Sequence, residues 1–220
     1  MRIVGFVVSL LLVSCSIAQV PSVPQLQRVS TVAAKEDICE RAFVQGDWQF
    51  VHSINFTMRT GYGTTLVGVT VLQGKKLKTV LMGVEGFVLF EAEQEGRGRV
   101  VVRRAMPPFD KTGFADGLMS DVQSLFVEPA YTERMLAENT EGDRICRYTA
   151  ENNQVTDVVT AKPGWNRINL YDKQGMLQQA ITAQNYKEVA GENVPEQIQL
   201  TVHGVQGYTL KLQLLSADKI

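Results

Sequence analysis

One stretch, residues 111–127 (KTGFADGLMSDVQSLFV), carries a helical period in the middle of a sequence that otherwise alternates like strands. Phe114, Leu118, Val122, Leu125 and Phe126 recur at the spacing of a single helical stripe, and Asp116, Ser120, Asp121, Gln123 and Ser124 fall on the opposite face. Pro107 and Pro108 bar an earlier start, Asp110 or Thr112 can serve as N-cap, and Pro129 bars a long continuation. A lone helix with one apolar face and strands on both sides in sequence needs a sheet to lie on. The expected fold class is therefore α+β, mainly β.

The strands before that helix are of two kinds. Residues 47–58 alternate cleanly: Trp48, Phe50, Ile54, Phe56 and Met58 against Gln49, Ser53, Asn55 and Thr57, with His52 on the apolar side. A histidine there reads as a core or rim residue before it reads as a ligand. Residues 64–72, 77–82 and 87–91 are apolar on both faces, so both sides of that sheet must be covered. One side could be a barrel interior and the other could carry a helix. Residues 100–104 form a short strand after a Gly-Arg-Gly-Arg turn, and Arg97, Arg99, Arg103 and Arg104 make the densest basic cluster in the chain. That cluster has two readings: a solvated edge strand that uses charge against sheet-to-sheet pairing, or a patch that docks an anionic head group or a partner.

After the helix, residues 130–137 read as a second short helix. Hairpins then follow in succession: 144–150 with 155–160, 166–171 with 176–183, and 197–202 with 208–214. The count is about eleven strands with a turn every eight to twelve residues, which predicts a barrel or sandwich. Residues 29–43 can form a further helix before the first strand.

The N-terminus sets a compartment. Arg2 precedes an apolar run over residues 3–13, too short to span a bilayer and suited to a signal-peptide core. It ends in Leu12-Val13-Ser14-Cys15, which resembles a lipobox and makes Cys15 the expected lipidation site, with residues 1–15 as the signal peptide. Ser16-Ile17-Ala18 offers ordinary cleavage after Ala18 as the alternative, giving a soluble periplasmic protein. Ser16 in place of Asp after Cys15 resembles the sorting pattern of an outer-membrane lipoprotein. Residues 16–28, with Pro21 and Pro24, read as a tether. Cys39 and Cys146 then remain, and in an oxidising compartment they read as one disulfide or as two buried thiols.

Most catalytic signatures are absent. There is no G-x-S-x-G, no P-loop and no dinucleotide fingerprint, and the two histidines, His52 and His203, have no cysteine near them at ligand spacing. A net charge of −1 argues against bulk nucleic-acid binding. The expectation is a protein that is not an enzyme and that uses no metal or cofactor.

The residues 81–90 (LMGVEGFVLF), 117–126 (GLMSDVQSLF), 194–200 (VPEQIQL) and 207–212 (GYTLKL), together with the order of elements, resemble the LolA/LolB superfamily of lipoprotein carriers and receptors. Within it they look closest to a proteobacterial lipoprotein family catalogued as DUF3261. The resemblance implies a single domain over residues 29–220, a half-open antiparallel barrel closed by helices over an apolar cavity. It implies a ligand, an acyl chain of a lipid or lipoprotein, and a location on the periplasmic side of the outer membrane. The cavity lining expected from the apolar faces is Trp48, Phe50, Phe56, Leu66, Leu81, Phe87, Leu89, Phe114, Leu118, Val122, Leu200 and Leu210. In the receptors of this superfamily a loop between two early strands presents an exposed leucine to the membrane. The matching turn here, residues 83–86, presents Val84, which joins the arginine cluster as the expected membrane or partner contact. The alternative function is a non-catalytic assembly accessory that docks an envelope protein.

Overall fold

The computed structural model of the protein describes residues 21–28, 39, 43–160 and 165–220. The expected signal peptide, Cys15, the cleavage site after Ala18 and nearly all of the expected helix over residues 29–43 lie outside the described residues.

Among the described residues there are thirteen strands in one antiparallel sheet. The first meander is β2 (Trp48–Met58), β3 (Gly63–Gln73), β4 (Lys76–Met82), β5 (Val88–Glu95) and β6 (Val101–Ala105). Helix α1 (Phe114–Phe126) follows. The second meander is β7 (Glu133–Glu138), β8 (Arg144–Thr149), β9 (Val155–Thr160), β10 (Trp165–Tyr171), β11 (Leu177–Val189), β12 (Glu192–Val202) and β13 (Tyr208–Lys219). β13 pairs with β2 and joins the two meanders, and a two-residue strand, β1 (Gln27–Arg28), pairs with β7. The sheet is open, with β1 and β6 as its free edges. α1 carries the chain from the β6 edge back to the opposite end of the sheet.

The helix shows how strongly the sheet curls. Gln123 of α1 donates to Gln94 Oε1 on β5 at 3.0 Å, while Gln179 on β11 donates to Asp121 of α1 at 2.7 Å. β11 and β5 are six steps apart in the strand order, about 29 Å across a flat sheet at the usual interstrand spacing. A helix with side chains is only about 10–12 Å wide. One helix can touch both strands only if the sheet wraps around it. The result is a half-barrel with the helix on its concave face. The outer face of β3 and β4 (Val67, Val69, Val71 and Val80) is only half-buried and, contrary to expectation, is not covered by a helix among the described residues.

The core lies between α1 and the concave face. Trp48 stacks on Phe50 at 5.4 Å, and Phe50 stacks on Phe126 of the helix at 5.1 Å. The buried indole N–H of Trp48 donates to the Gln45 carbonyl at 2.9 Å, so this large side chain leaves no orphan donor. At the other end of the helix Phe114 packs edge-on against Phe90 at 5.5 Å.

Four expectations are corrected. Residues 130–137 do not form a helix: β7 runs there, because its backbone groups complete a ladder between β8 and β1, and pairing overrides the helix propensity of Glu, Arg, Met, Leu and Ala. Residues 21–28, part of the expected tether, lie against the sheet. Val23 N–H donates to the Gly175 carbonyl, Leu177 N–H to the Pro21 carbonyl, and Arg147 to the Pro24 carbonyl. Neither Asp110 nor Thr112 caps α1; the N-cap is Gly113, in the left-handed region at φ 79°, with no side-chain cap. Finally, β11 and β12 are longer than expected. They are joined by Ala190 and Gly191, both at positive φ (50° and 80°), the geometry of a two-residue hairpin turn.

Cys39 and Cys146 form a disulfide with their Cα atoms 5.6 Å apart, fixing the segment before β2 to β8.

Candidate functional site

Two cavities flank the C-terminal half of α1. The larger, about 550 Å³, is a groove along the side that carries Ser120, Gln123, Ser124 and Val127. Its apolar floor comes from Leu72 and Leu77 of the first meander and from Tyr148, Ile168 and Leu170 of the second, with Phe43 between them. Lys75 before β4, Lys76 at its start and Arg97 in the turn after β5 supply a basic rim. Its size lies within the usual range for ligand sites, about 300–1,000 Å³, and its apolar floor with polar groups at the margin fits that class.

The smaller cavity, about 240 Å³, lies on the Leu125–Phe126 side of the helix. Phe50, Val158, Ile168, Ile181 and Ile198 give it an apolar wall, and His52 lines it as well. Gly191 of the β11–β12 turn and Asn193 at the start of β12 are exposed at its margin. Phe43 and Ile168 line both cavities, so the two are neighbours separated by little more than a side chain.

Of the residues expected to line a cavity, only Phe50 borders either of these two. Trp48, Leu66, Leu81, Val122 and Leu200 are buried in the packed core, and Leu89, Phe114, Leu118 and Leu210 pack against it partly buried. Phe56 is half-buried against Tyr208 at 5.5 Å. Phe87 is corrected outright: it is 73% exposed, at the end of the β4–β5 turn, where it faces solvent beside Val84, 66% exposed. The strand begins one residue later than its apolar run, so Phe87 falls in the turn and not on a strand face. Arg97, Arg99, Arg103 and Arg104 are all exposed, and β6 is a free edge of the sheet. Arg103 pairs with Glu93 on β5 at 2.5 Å, the arrangement of a charged edge strand.

Two buried polar residues were not singled out as functional by pattern. Asp121 was expected in solvent, yet it is 4% exposed. It accepts hydrogen bonds from the Tyr208 hydroxyl and from Gln179, so the carboxylate fastens α1 to β13 and β11. The apolar stripe alone misplaces it because the curled sheet covers more of the helix than one face, burying Met119 as well. Burial pushes the Asp121 carboxyl up to about 6, against the opposing pull of its two donors. His52, 2% exposed, is pushed down to about 4 by burial alone, which leaves it neutral near pH 7. Among the described residues no three of His, Cys, Asp and Glu gather as a metal site would need.

These two groups pull stability in opposite directions with pH. Asp121 has a folded value above the ordinary one near 4, so its contribution is present below about pH 4 and lost as pH rises through 6. His52 has a folded value below the ordinary 6.5, so its contribution is present above that and lost as pH falls through 4. Between about pH 4 and 6 they offset, each at about 1.4 kcal/mol per pH unit. Urea unfolding across that range is expected to show a nearly flat wild type. Asp121→Asn should gain stability as pH rises and His52→Phe should lose it. Parallel slopes for the two variants would refute the assignment.

No family model and no curated protein sequence matches the chain. Solved structures that share its fold include the following three. A LolA superfamily protein from Nitrosomonas europaea aligns with 13% identity over 86% of this chain and 94% of its own, at a TM-score of 0.53. A domain described as an outer membrane lipoprotein-sorting protein, from Vibrio parahaemolyticus, aligns with 13% identity over 83% and 89%, at 0.55. A DUF1329 family protein from Desulfovibrio piger aligns with 14% identity over 83% and 89%, at 0.50. The likeness extends over nearly the whole of each of these proteins, so the half-barrel with its crossing helix is a fold they hold in common.

Proposed function

We propose that this protein holds an acyl chain, of a lipid or of a lipoprotein, in the groove beside α1 and handles it in the cell envelope. The observation that carries the reading is the 550 Å³ groove itself: an apolar floor shared by both meanders beside the C-terminal half of α1. Each CH₂ moved from water onto such a floor gains about 0.8 kcal/mol, so a chain of a dozen carbons is held firmly with no bond made or broken. The rim cations Lys75, Lys76 and Arg97 suit an anionic head group lying at the groove margin. The Cys39–Cys146 disulfide suits an oxidising compartment, and the lipoprotein-sorting domain of the same fold suits the envelope. On this reading Cys15 is acylated and anchors the protein to the outer membrane, facing the periplasm. Membership of the DUF3261 family belongs to the same proposal.

A second reading, an assembly accessory that docks an envelope protein, is favoured by the exposed apolar pair Val84 and Phe87 and by the charged free edge at β6.

Native mass spectrometry of protein purified from membranes separates the two. Lipid-sized adducts are expected, and a Leu170→Glu variant, which puts a charge on the groove floor, is expected to lose at least tenfold in long-chain fatty-acid affinity. Leu215→Glu, at an exposed position, should lose nothing. An adduct-free protein that instead retains a stoichiometric envelope partner, lost on Val84→Asp with Phe87→Asp, would establish the second reading. For the anchor, a Cys15→Ser protein that still fractionates with the outer membrane would rule out acylation there.

A further inference from the structure

The smaller cavity is lined by a histidine that has no hydrogen-bond partner among the described residues. His52 lines it at 2% exposure, its ring contacts are Phe50 at 6.1 Å and Phe126 at 5.9 Å, and it makes no hydrogen bond among the described residues. Neither ring nitrogen is among the sealed, unpartnered side-chain atoms of the described residues, so the polar edge of the ring is reachable from the cavity it lines. The surrounding wall is aliphatic and aromatic. Its remaining polar lining is Asn166, Tyr186, Glu192 and Asn193, and of these Asn166 already donates to the Tyr186 hydroxyl at 2.9 Å.

We propose that this cavity is a separate binding site for a single-chain amphiphile whose uncharged end group, an alcohol, protonated acid or carbonyl, hydrogen-bonds to His52. A neutral imidazole carries one donor and one acceptor, so it can meet any of these groups. Size sets the chain length. An apolar cavity of about 150 Å³ holds benzene, so at the same density the 240 Å³ here accommodates roughly ten non-hydrogen atoms. Charge sets the end group. Among the described lining residues there is no lysine or arginine, and the one acid, Glu192, sits at the margin beside exposed Gly191 and Asn193. An ionised carboxylate would enter past Glu192 and meet no cation among the described lining residues. The site goes beyond the groove reading: it lies on the other flank of α1, is too small for a long acyl chain, and selects by its end group.

Octan-1-ol is the probe. It is expected to bind the full protein at one equivalent and to shift the ¹⁵N resonances of the His52 ring, while octanoate near neutral pH binds at least tenfold more weakly. His52→Phe keeps the cavity apolar and is expected to weaken octanol binding roughly tenfold, with His52→Gln recovering part of the loss. Saturable octanol binding that His52→Phe leaves unchanged, an unshifted His52 ring, octanoate binding as tight as octanol, or no binding at all would each overturn the proposal. A long-chain fluorescent fatty acid titrated in parallel reports on the groove. Loss of that signal alone counts against the groove reading and leaves the His52 site standing; loss of octanol binding alone does the reverse.

Discussion

Arg147→Met is expected to destabilise the protein by roughly 3–5 kcal/mol, far more than its partly accessible side chain suggests. The reason is Asp157, 1% exposed, directly across the β8–β9 ladder. The guanidinium meets its carboxylate with two bonds, Nε to Oδ1 and Nη2 to Oδ2, both at 2.6 Å, and Nη2 also donates to the Pro24 carbonyl at 3.1 Å. Arginine is the side chain that can do this, because its planar fork matches a carboxylate and still has donors to spare. Cys146, Tyr148 and Val158 face the core, so Arg147 and Asp157, one residue out of phase, face the opposite side of the sheet, where Ile145 and Val159 are also buried. Removing Arg147 leaves a carboxylate buried with no partner and releases residues 21–28 from their bond to this face. Replacing both ends, Arg147→Met with Asp157→Leu, removes the stranded charge and is expected to recover most of the loss, since a buried ion pair is worth little against a well-packed apolar pair. Urea unfolding with an unchanged m-value is the measurement. A single variant within 1 kcal/mol of the wild type, or a double variant worse than the single, would show that the pair does not act as described.

The same ion pair shows where sequence patterning stops. Local pattern was enough to place β2 and the β12–β13 hairpin by alternation, and β3 and β4 as apolar runs between turns. It was also enough to place α1 and to mark Val122 and Phe126 as buried. What the pattern could not carry was any decision made by a distant neighbour. Residues 130–137 have the composition of a helix, and only the pairing offered by β8 and β1 makes them a strand. Residues 21–28 have the composition of a tether, and the turn at 172–175, Leu177, Arg147 and the pairing of β1 with β7 hold them down. Asp121 belongs by period to the solvent face of α1, but the curl of the sheet brings Tyr208 and Gln179 over it. The cavity lining failed for a related reason. Large apolar side chains fill space, so Trp48, Leu81 and Leu200 mark the packed core, while the open volume lies where Ser120, Gln123 and Gly96 leave room beside them. His52 was visible in the sequence as a polar residue on an apolar strand face. That oddity was the one local signal pointing at the smaller cavity.

The Cys39→Ser, Cys146→Ser double variant is expected to lose about 5 kcal/mol, a large part of the stability of a domain this size. The bond closes a loop with a sequence separation of 107, which contains the whole first meander, α1 and β7. Without it the denatured chain regains the freedom of that loop, so the m-value should rise as the midpoint falls. The native state has its own reason to need the bond. β6 and β7 lie far apart in the strand order, and the two meanders are joined by the β2–β13 ladder, by α1 and by Arg59, which donates to the Gly204 and Gly207 carbonyls. The disulfide adds a further tie, from the segment before β2 to β8, and holds nearby Phe43 where it lines both cavities. Both sulfurs are buried, Cys146 fully, and the Tyr148 hydroxyl covers the bond from β8 by donating to the Cys39 carbonyl at 3.2 Å. Reductant should therefore act on the folded protein only as fast as it unfolds, and thiol labelling of the reduced sample should track the unfolding rate. If the variant keeps its long-chain affinity while losing stability, the bond serves the fold alone. If affinity falls in native buffer before any unfolding, the tie through Phe43 also shapes the groove, which is the outcome expected here.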